Sequence, residues 1–218
     1  MSQKLLRGAW RIVAIVAAAA VLLPGAASAW FTLSGNDIEY TCQEANAGKK
    51  VLIVYDTKYG ATRTLAYRIK DVLCSEGAQV DLSTVRKIKD LSSYDAVILG
   101  SAIIVEQWRP DMLKFMKAQE NVLKDKKVAV FVTCGIMRED NEENRGMAQK
   151  YYIDGVLKKY PNITLVGNAG LFGGVLDFSV LTFQDFIMIK AFNMMGEGDY
   201  RNFDNVGQWA KDFYDAIK

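Results

Sequence analysis

The chain has 218 residues, half of them apolar and 24% charged, with a formal net charge of +2. Lys4, Arg7 and Arg11 fall in an N-terminal leader, leaving 24 of the 27 basic residues against 25 acidic ones, a balance that disfavours nucleic-acid binding. The absence of histidine removes the commonest general base, the usual zinc ligand and every Ser-His-Asp or Cys-His nucleophile, so chemistry falls to a bound cofactor, and no metal site is expected.

Residues 1–29 combine that basic start with an apolar stretch from Ile12 to Leu23, then Pro24, Gly25 and the small-residue site Ala27-Ser28-Ala29. This is the anatomy of a secretory signal, with cleavage expected before Trp30. The alternative is an uncleaved anchor, since Ile12 to Ala29 lies at the short end for a membrane helix. In both cases the basic side stays in the cytoplasm and the folded domain is extracytoplasmic, in a periplasm or on the outer face of the membrane. Residues 30–48 have weak periodicity and end in Gly48, which predicts a linker. Cys42, Cys74 and Cys134 show no C-x-x-C spacing, and a free thiol is expected at each, although two of them can pair outside the cytoplasm.

Residues 49–218 are expected to fold as one domain. Lys50 to Tyr55 (KVLIVY) is a short apolar run rich in β-branched residues, as in a parallel strand covered on both faces. From Ala61 to Glu76, Leu65, Ile69, Val72 and Leu73 recur at helical spacing, and Gly77 marks the stop. Strands are predicted at Gln79 to Leu82, Tyr94 to Gly100, Lys127 to Thr133 and Ile163 to Ala169. Helices are predicted from Pro110 to Asn121, from Glu142 to Tyr160 and from Phe203 to Ile217. Between the fifth strand and the last helix lie a glycine-rich turn, Gly170 to Asp177, and an extra helix, Phe178 to Met195, whose narrow polar stripe is Ser179, Thr182, Asp185 and Asn193. A helix that apolar must be buried in a core, a partner or a membrane surface.

Five short apolar strands alternating with helices specify an α/β fold, a doubly wound parallel sheet, with strand order 2-1-3-4-5 among the few that right-handed crossovers allow. In such sheets the ligand lies at the carboxyl ends of strands one and three, so three loops hold the candidate site. In the first, Asp56 to Arg63, the turn Thr57-Lys58-Tyr59-Gly60-Ala61-Thr62 offers free backbone N–H groups, two threonine hydroxyls and the field of a helix start to a phosphate. Gly60 lets the backbone come close to the anion. A plain helix cap is the competing reading of the same residues. In the second loop, Ser101, Ala102, Ile103 and Ile104 present backbone groups to the edge of a flat ring, and Trp108 is either part of that site or a surface aromatic capping the next helix. In the third, Thr133, Cys134 and Gly135 either form the opposite wall or an ordinary strand-to-helix loop.

The first loop resembles the flavodoxin phosphate loop, Ser/Thr-x-Ser/Thr-Gly-x-Thr, with Tyr59 where that loop has Ser or Thr. Thr57, Lys58, Gly60, Thr62 and Arg63 also fall on the form found in the flavodoxin-domain, quinone-dependent protoporphyrinogen oxidases. The second loop, with Gly100-Ser101-Ala102-Ile103 and Trp108, is similar to that family, as are Leu176-Asp177, Phe186 to Lys190 and Gly196 to Arg201. The resemblance covers about residues 50 to 217 and implies a flavodoxin-like fold, one noncovalent FMN, and oxidation of protoporphyrinogen IX with a quinone as acceptor. The implied partners are a quinone or a redox protein, with membrane-surface contact through residues 178–195; packing of that helix on the domain or in a dimer is the other possibility. The resemblance names no catalytic side chain. Two alternatives stay open: a non-catalytic electron carrier, and a flavodoxin-shaped binding module without FMN.

Overall fold

The computed structural model describes residues 36–42, 48–191 and 196–218. The leader with its expected cleavage site, residues 30–35 and 43–47 of the expected linker, and residues 192–195 at the end of the expected extra helix lie outside them.

The chain enters the sheet earlier than expected. Tyr40–Cys42, inside the segment read as a linker, forms strand β1. It is followed by β2 (Lys50–Asp56), α1 (Ala61–Ser75) and β3 (Gln79–Thr84). Next come β4 (Ala96–Ile104), the short β5 (Gln107–Trp108), α2 (Pro110–Leu123) and β6 (Lys127–Thr133). Strand β7 (Gly170–Phe172) completes a parallel array ordered β3-β2-β4-β6-β7, which is the expected 2-1-3-4-5. β1 lies antiparallel on the outer edge of β3, with Tyr40 opposite Leu82 and Cys42 opposite Val80.

The apolar runs follow from burial on both faces of the sheet. Side chains alternate along a strand, so Val51, Ile53 and Tyr55 of β2 pack with Leu65, Ile69 and Leu73 of α1. Leu52 and Val54 point the other way, into a second core with Met112, Phe115 and Met116 of α2. The last helix, α5 (Phe203–Ile217), joins α1's layer through Val206, Ala210 and Phe213. The central strands are thus left without a polar face, and the helix starts are fixed at the carboxyl ends of β2, β4 and β6.

Several expectations are corrected. The fifth strand falls at Gly170–Phe172 rather than Ile163 to Ala169; the earlier run contributes one bridge, Leu165 to Val128. Its apolar residues pack under the sheet edge instead, with Ile163 buried. The helix read as Glu142 to Tyr160 is α3 (Glu142–Ala148), a π turn over Gln149–Asp154 and one more turn, Gly155–Leu157. The glycine-rich turn contains β7 and β8 (Val175–Leu176), and β8 pairs antiparallel with β9 (Gly198–Asp199). The extra helix is present but shorter among the described residues: a 3-10 turn over Phe178–Val180, then α4 (Phe183–Ala191). Cys42 and Cys74 are not free thiols. They form a disulfide, with Cα atoms 6.3 Å apart, because β1's register on β3 carries Cys42 to the end of α1. Cys134 is free and buried.

Candidate functional site

A cavity of about 180 Å³ opens at the carboxyl ends of β2, β4 and β6. Its polar end is the turn between β2 and α1. Gly60 has φ 91°, the left-handed region, with no side-chain cap on the helix it precedes. An added Cβ there would have no heavy atom within 4 Å, so the cost of another residue is backbone strain rather than collision. Thr57 Oγ1 accepts the Gly60 N–H at 3.0 Å, which shapes the turn and leaves the Thr57 proton for another acceptor. The first-turn N–H groups of α1 have no i−4 carbonyl to bond, as at any helix start. Among the described residues, Thr62, fully buried, has a hydroxyl with no partner, and so has Thr133 at the end of β6. Buried polar atoms are nearly always satisfied. Two orphaned hydroxyls beside a helix start therefore fit an anionic or strongly polar ligand group.

The remaining wall is apolar. Ala102, Ile103, Ile104 and Val105 line it from the end of β4, Val175 and Leu176 from β8, and Leu181, Met188 and Ile189 from the α4 segment. The expected loop after β4 is instead a tight hairpin, with Ile103 paired to Trp108 and Ile104 to Gln107. Its two turn residues, Val105 (φ 49°) and Glu106 (φ 59°), occupy the left-handed region that two-residue hairpins require, an uncommon place for a β-branched side chain. Tyr152, in the π turn, holds this strained turn down: its hydroxyl donates to the Glu106 carboxylate and its carbonyl accepts from Trp108 Nε1 at 2.7 Å. Burial and that carboxylate push the Tyr152 phenol well above its ordinary range.

Of the expected site residues, Thr57, Lys58, Tyr59, Ala61, Thr62, Ala102, Ile103, Ile104, Thr133, Cys134 and Gly135 line the cavity. Gly60 shapes the turn from behind. Ser101 is buried beneath the wall, where its Oγ accepts the Arg109 N–H at 3.0 Å and donates to the Ala102 carbonyl. Trp108 is not among the residues that line the cavity, nor is it a surface cap; it is 3% exposed and belongs to the core on α2's side of the sheet. Burial pushes the Cys134 thiol up to about 11.

Sequence reasoning missed the roof. Leu181, Asp185, Met188 and Ile189 recur at helical spacing and turn one side of the α4 segment to the cavity. Asp185 bonds both Lys58 and Tyr59 of the phosphate turn. Although partial burial works against ionisation of Asp185, these two partners hold its carboxyl below the ordinary carboxylate range, and the Asp185 hydrogen bond raises the Lys58 ammonium. Gly173 lets the chain after β9 pass close by: a Cβ there would stand 2.3 Å from the Tyr200 carbonyl oxygen. The signal available in sequence was the position of Asp185 in the polar stripe of an otherwise apolar helix.

Comparison with known proteins agrees with this architecture. Oxidised flavodoxin 1 from Bacillus cereus is similar in structure, at 17% identity and TM-score 0.51, over 78% of this chain and 99% of that one. A short-chain flavodoxin associated with a non-canonical PDU bacterial microcompartment gives 13% identity and TM-score 0.53 over 78% and 100%. The flavodiiron core of Synechocystis Flv1 gives 15% and 0.53, over 80% of this chain but 37% of that one. No curated protein sequence matches the chain. A family model described as flavodoxin domain matches residues 52–202. The chain therefore belongs to the flavodoxin domain family, and FMN is the cofactor that its phosphate turn, orphaned hydroxyls and apolar walls fit.

Proposed function

We propose that the protein is an extracytoplasmic FMN-dependent oxidoreductase of protoporphyrinogen-oxidase type, passing electrons from a reduced organic substrate to a quinone. The observation that carries this reading is the roof. Leu181, Met188 and Ile189 extend the apolar wall over the cavity, giving a covered space suited to an organic reactant. When bound, FMN supplies the redox chemistry, accepting a hydride or electrons from one partner and returning them to another. The chain's own part is to hold the phosphate at the start of α1 with Thr57 and Thr62, and to exclude water with Ile103, Ile104 and the α4 segment.

The outer side of that segment supports contact with a bilayer, where quinone resides. Phe183 is 78% exposed, Ile187 47% and Val180, in the preceding 3-10 turn, 55%, apolar positions along a segment whose helix buries none of its residues. The Cys42–Cys74 disulfide supports an oxidising compartment and agrees with the export reading of the leader.

The test is anaerobic. FMN-loaded protein is mixed with protoporphyrinogen IX and a soluble quinone analogue, and flavin absorbance and porphyrin fluorescence are followed. Bleaching by the substrate and recovery with the quinone are expected, and a flavin that the substrate never bleaches sinks the reading. A second reading, a non-catalytic electron carrier, is favoured by the state of the titratable lining groups: Lys58 and Asp185 engage each other, and Cys134 holds its proton. In that case a redox protein reoxidises the flavin and the quinone does not.

A further inference from the structure

The phosphate turn does not present its cation freely to the cavity. Lys58 Nζ is paired with the Asp185 carboxylate, and the Tyr59 hydroxyl donates to the same oxygen, across more than 120 residues of sequence. Two more contacts align the start of α4 on Tyr59: the Thr182 N–H donates to the Tyr59 oxygen at 3.3 Å, and Thr182 Oγ1 lies 3.4 Å from the same oxygen. The pair is largely shielded from water, with the Lys58 side chain 28% exposed and that of Asp185 16%. It is thus unlike a solvated surface pair, whose strength is close to nil. Asp185, Lys58 and Tyr59 all line the cavity at the end where a phosphate fits.

A phosphate monoester carries between one and two negative charges at neutral pH. Placed at this turn it meets a carboxylate of like charge, and it must share the ammonium and phenol that the carboxylate already holds. A flavin without a phosphate meets neither difficulty. We infer that Asp185 is a specificity-determining residue of the flavin cavity: its carboxylate competes with the cofactor phosphate for Lys58 and Tyr59, and so restrains the preference for phosphorylated over unphosphorylated flavin. Because coupling between two sites is reciprocal, phosphate binding also weakens the hold of Asp185 on the turn, and with it the attachment of α4. Occupancy of the phosphate end and closure of the roof then oppose each other, and the competition keeps the roof able to lift over a loaded cofactor.

This inference rests on the FMN assignment, and the experiment separates the two. FMN and riboflavin are titrated by fluorescence quenching into the whole exported domain and into Asp185→Asn and Asp185→Ala, each checked for folding by circular dichroism. Both variants are expected to bind FMN about tenfold more tightly, with riboflavin changed less than twofold. Lys58→Met is expected to weaken FMN several-fold more in the Asp185→Asn background than in the wild type, because the lysine is then free to serve the phosphate. FMN affinity that is unchanged or lower in the folded variants overturns the inference, as does an equal gain for both flavins, which marks a packing effect of α4. A wild-type protein that binds neither flavin overturns the cofactor assignment itself.

Discussion

The helix-and-sheet layer beneath the cavity, its floor, and the α4 segment over it, its roof, are held by different interactions. On the floor, Leu65, Ala66 and Ile69 of α1 are completely buried against β2 and α5, and Cys74 at the far end of the same helix is tied to β1. On the roof, α4 buries no residue, leaves Phe183 and Ile187 exposed, and is attached to the phosphate turn through Asp185 and Thr182. Burial of apolar area is non-directional and strong, whereas a few polar contacts fix direction at little net gain. The floor is therefore built to persist, and the roof to be positioned.

The largest effect should come from cutting the floor's covalent tie. Replacing Cys42 and Cys74 together with serine removes a cross-link across 32 residues of sequence, and a loss of about 3 to 4 kcal/mol is expected in urea denaturation on the chain-entropy estimate. Leu65→Ala should follow at about 3 kcal/mol, as for other fully buried leucines. Ile187→Ala, its counterpart on the roof, should stay within about 0.5 kcal/mol. Equal losses at Leu65 and Ile187 would break the contrast between the two regions.

At the junction of floor and roof, Gly60→Asp puts a carboxylate at the phosphate turn and should weaken FMN about 100-fold in a fluorescence titration. Gly60→Ala introduces no charge and no collision, only the φ of 91°. It should cost about 1 to 2 kcal/mol of stability while FMN remains bound. If both variants lose FMN alike, backbone shape rather than charge governs the turn.

The smallest effect expected is that of pH on the roof. Asp185 ionises below its ordinary 3.8, so its contribution is complete above that value and is lost only as pH falls through the lower, folded one. Lys58 is raised above 10.5, so its contribution is present below that value and disappears as pH climbs through the folded one. Intrinsic opening of the α4 segment, measured by hydrogen exchange after correction for the chemical rate, should therefore be flat from about pH 5 to pH 9. A step near neutrality would mean that other groups hold the roof.

The floor was legible in the sequence and the roof was not, for physical reasons. Lys50 to Tyr55 and Lys127 to Thr133 carry uninterrupted apolar runs because both of their faces are covered, and the turn after β2 combines Gly60 with threonines that a helix start uses. Trp108 misled because an aromatic near a predicted ring site looks like a neighbour of that ring, whereas the β4–β5 hairpin turns it into the opposite core. The disulfide stayed hidden because Cys42 and Cys74 approach only through the pairing of β1 with β3, a long-range register that no local pattern announces. The fifth strand was displaced because Ile163 and Leu165 are apolar for packing beneath the sheet edge, while Gly170 to Phe172 is too short to show a periodicity. Asp185 was visible only as part of a polar stripe, since its partners lie in a turn more than 120 residues earlier.

The antiparallel β1 bears on how the molecule avoids self-association. A parallel array of this kind ends in open backbone groups on both outer strands, and an open edge templates pairing with another chain. At the β3 edge, Tyr40–Cys42 already occupies part of that row, and the cystine keeps it from peeling away. At the opposite edge, β7 offers only three residues, too few for a growing stack to nucleate on. The short bonded strand thus serves as a permanent guard against edge-to-edge aggregation.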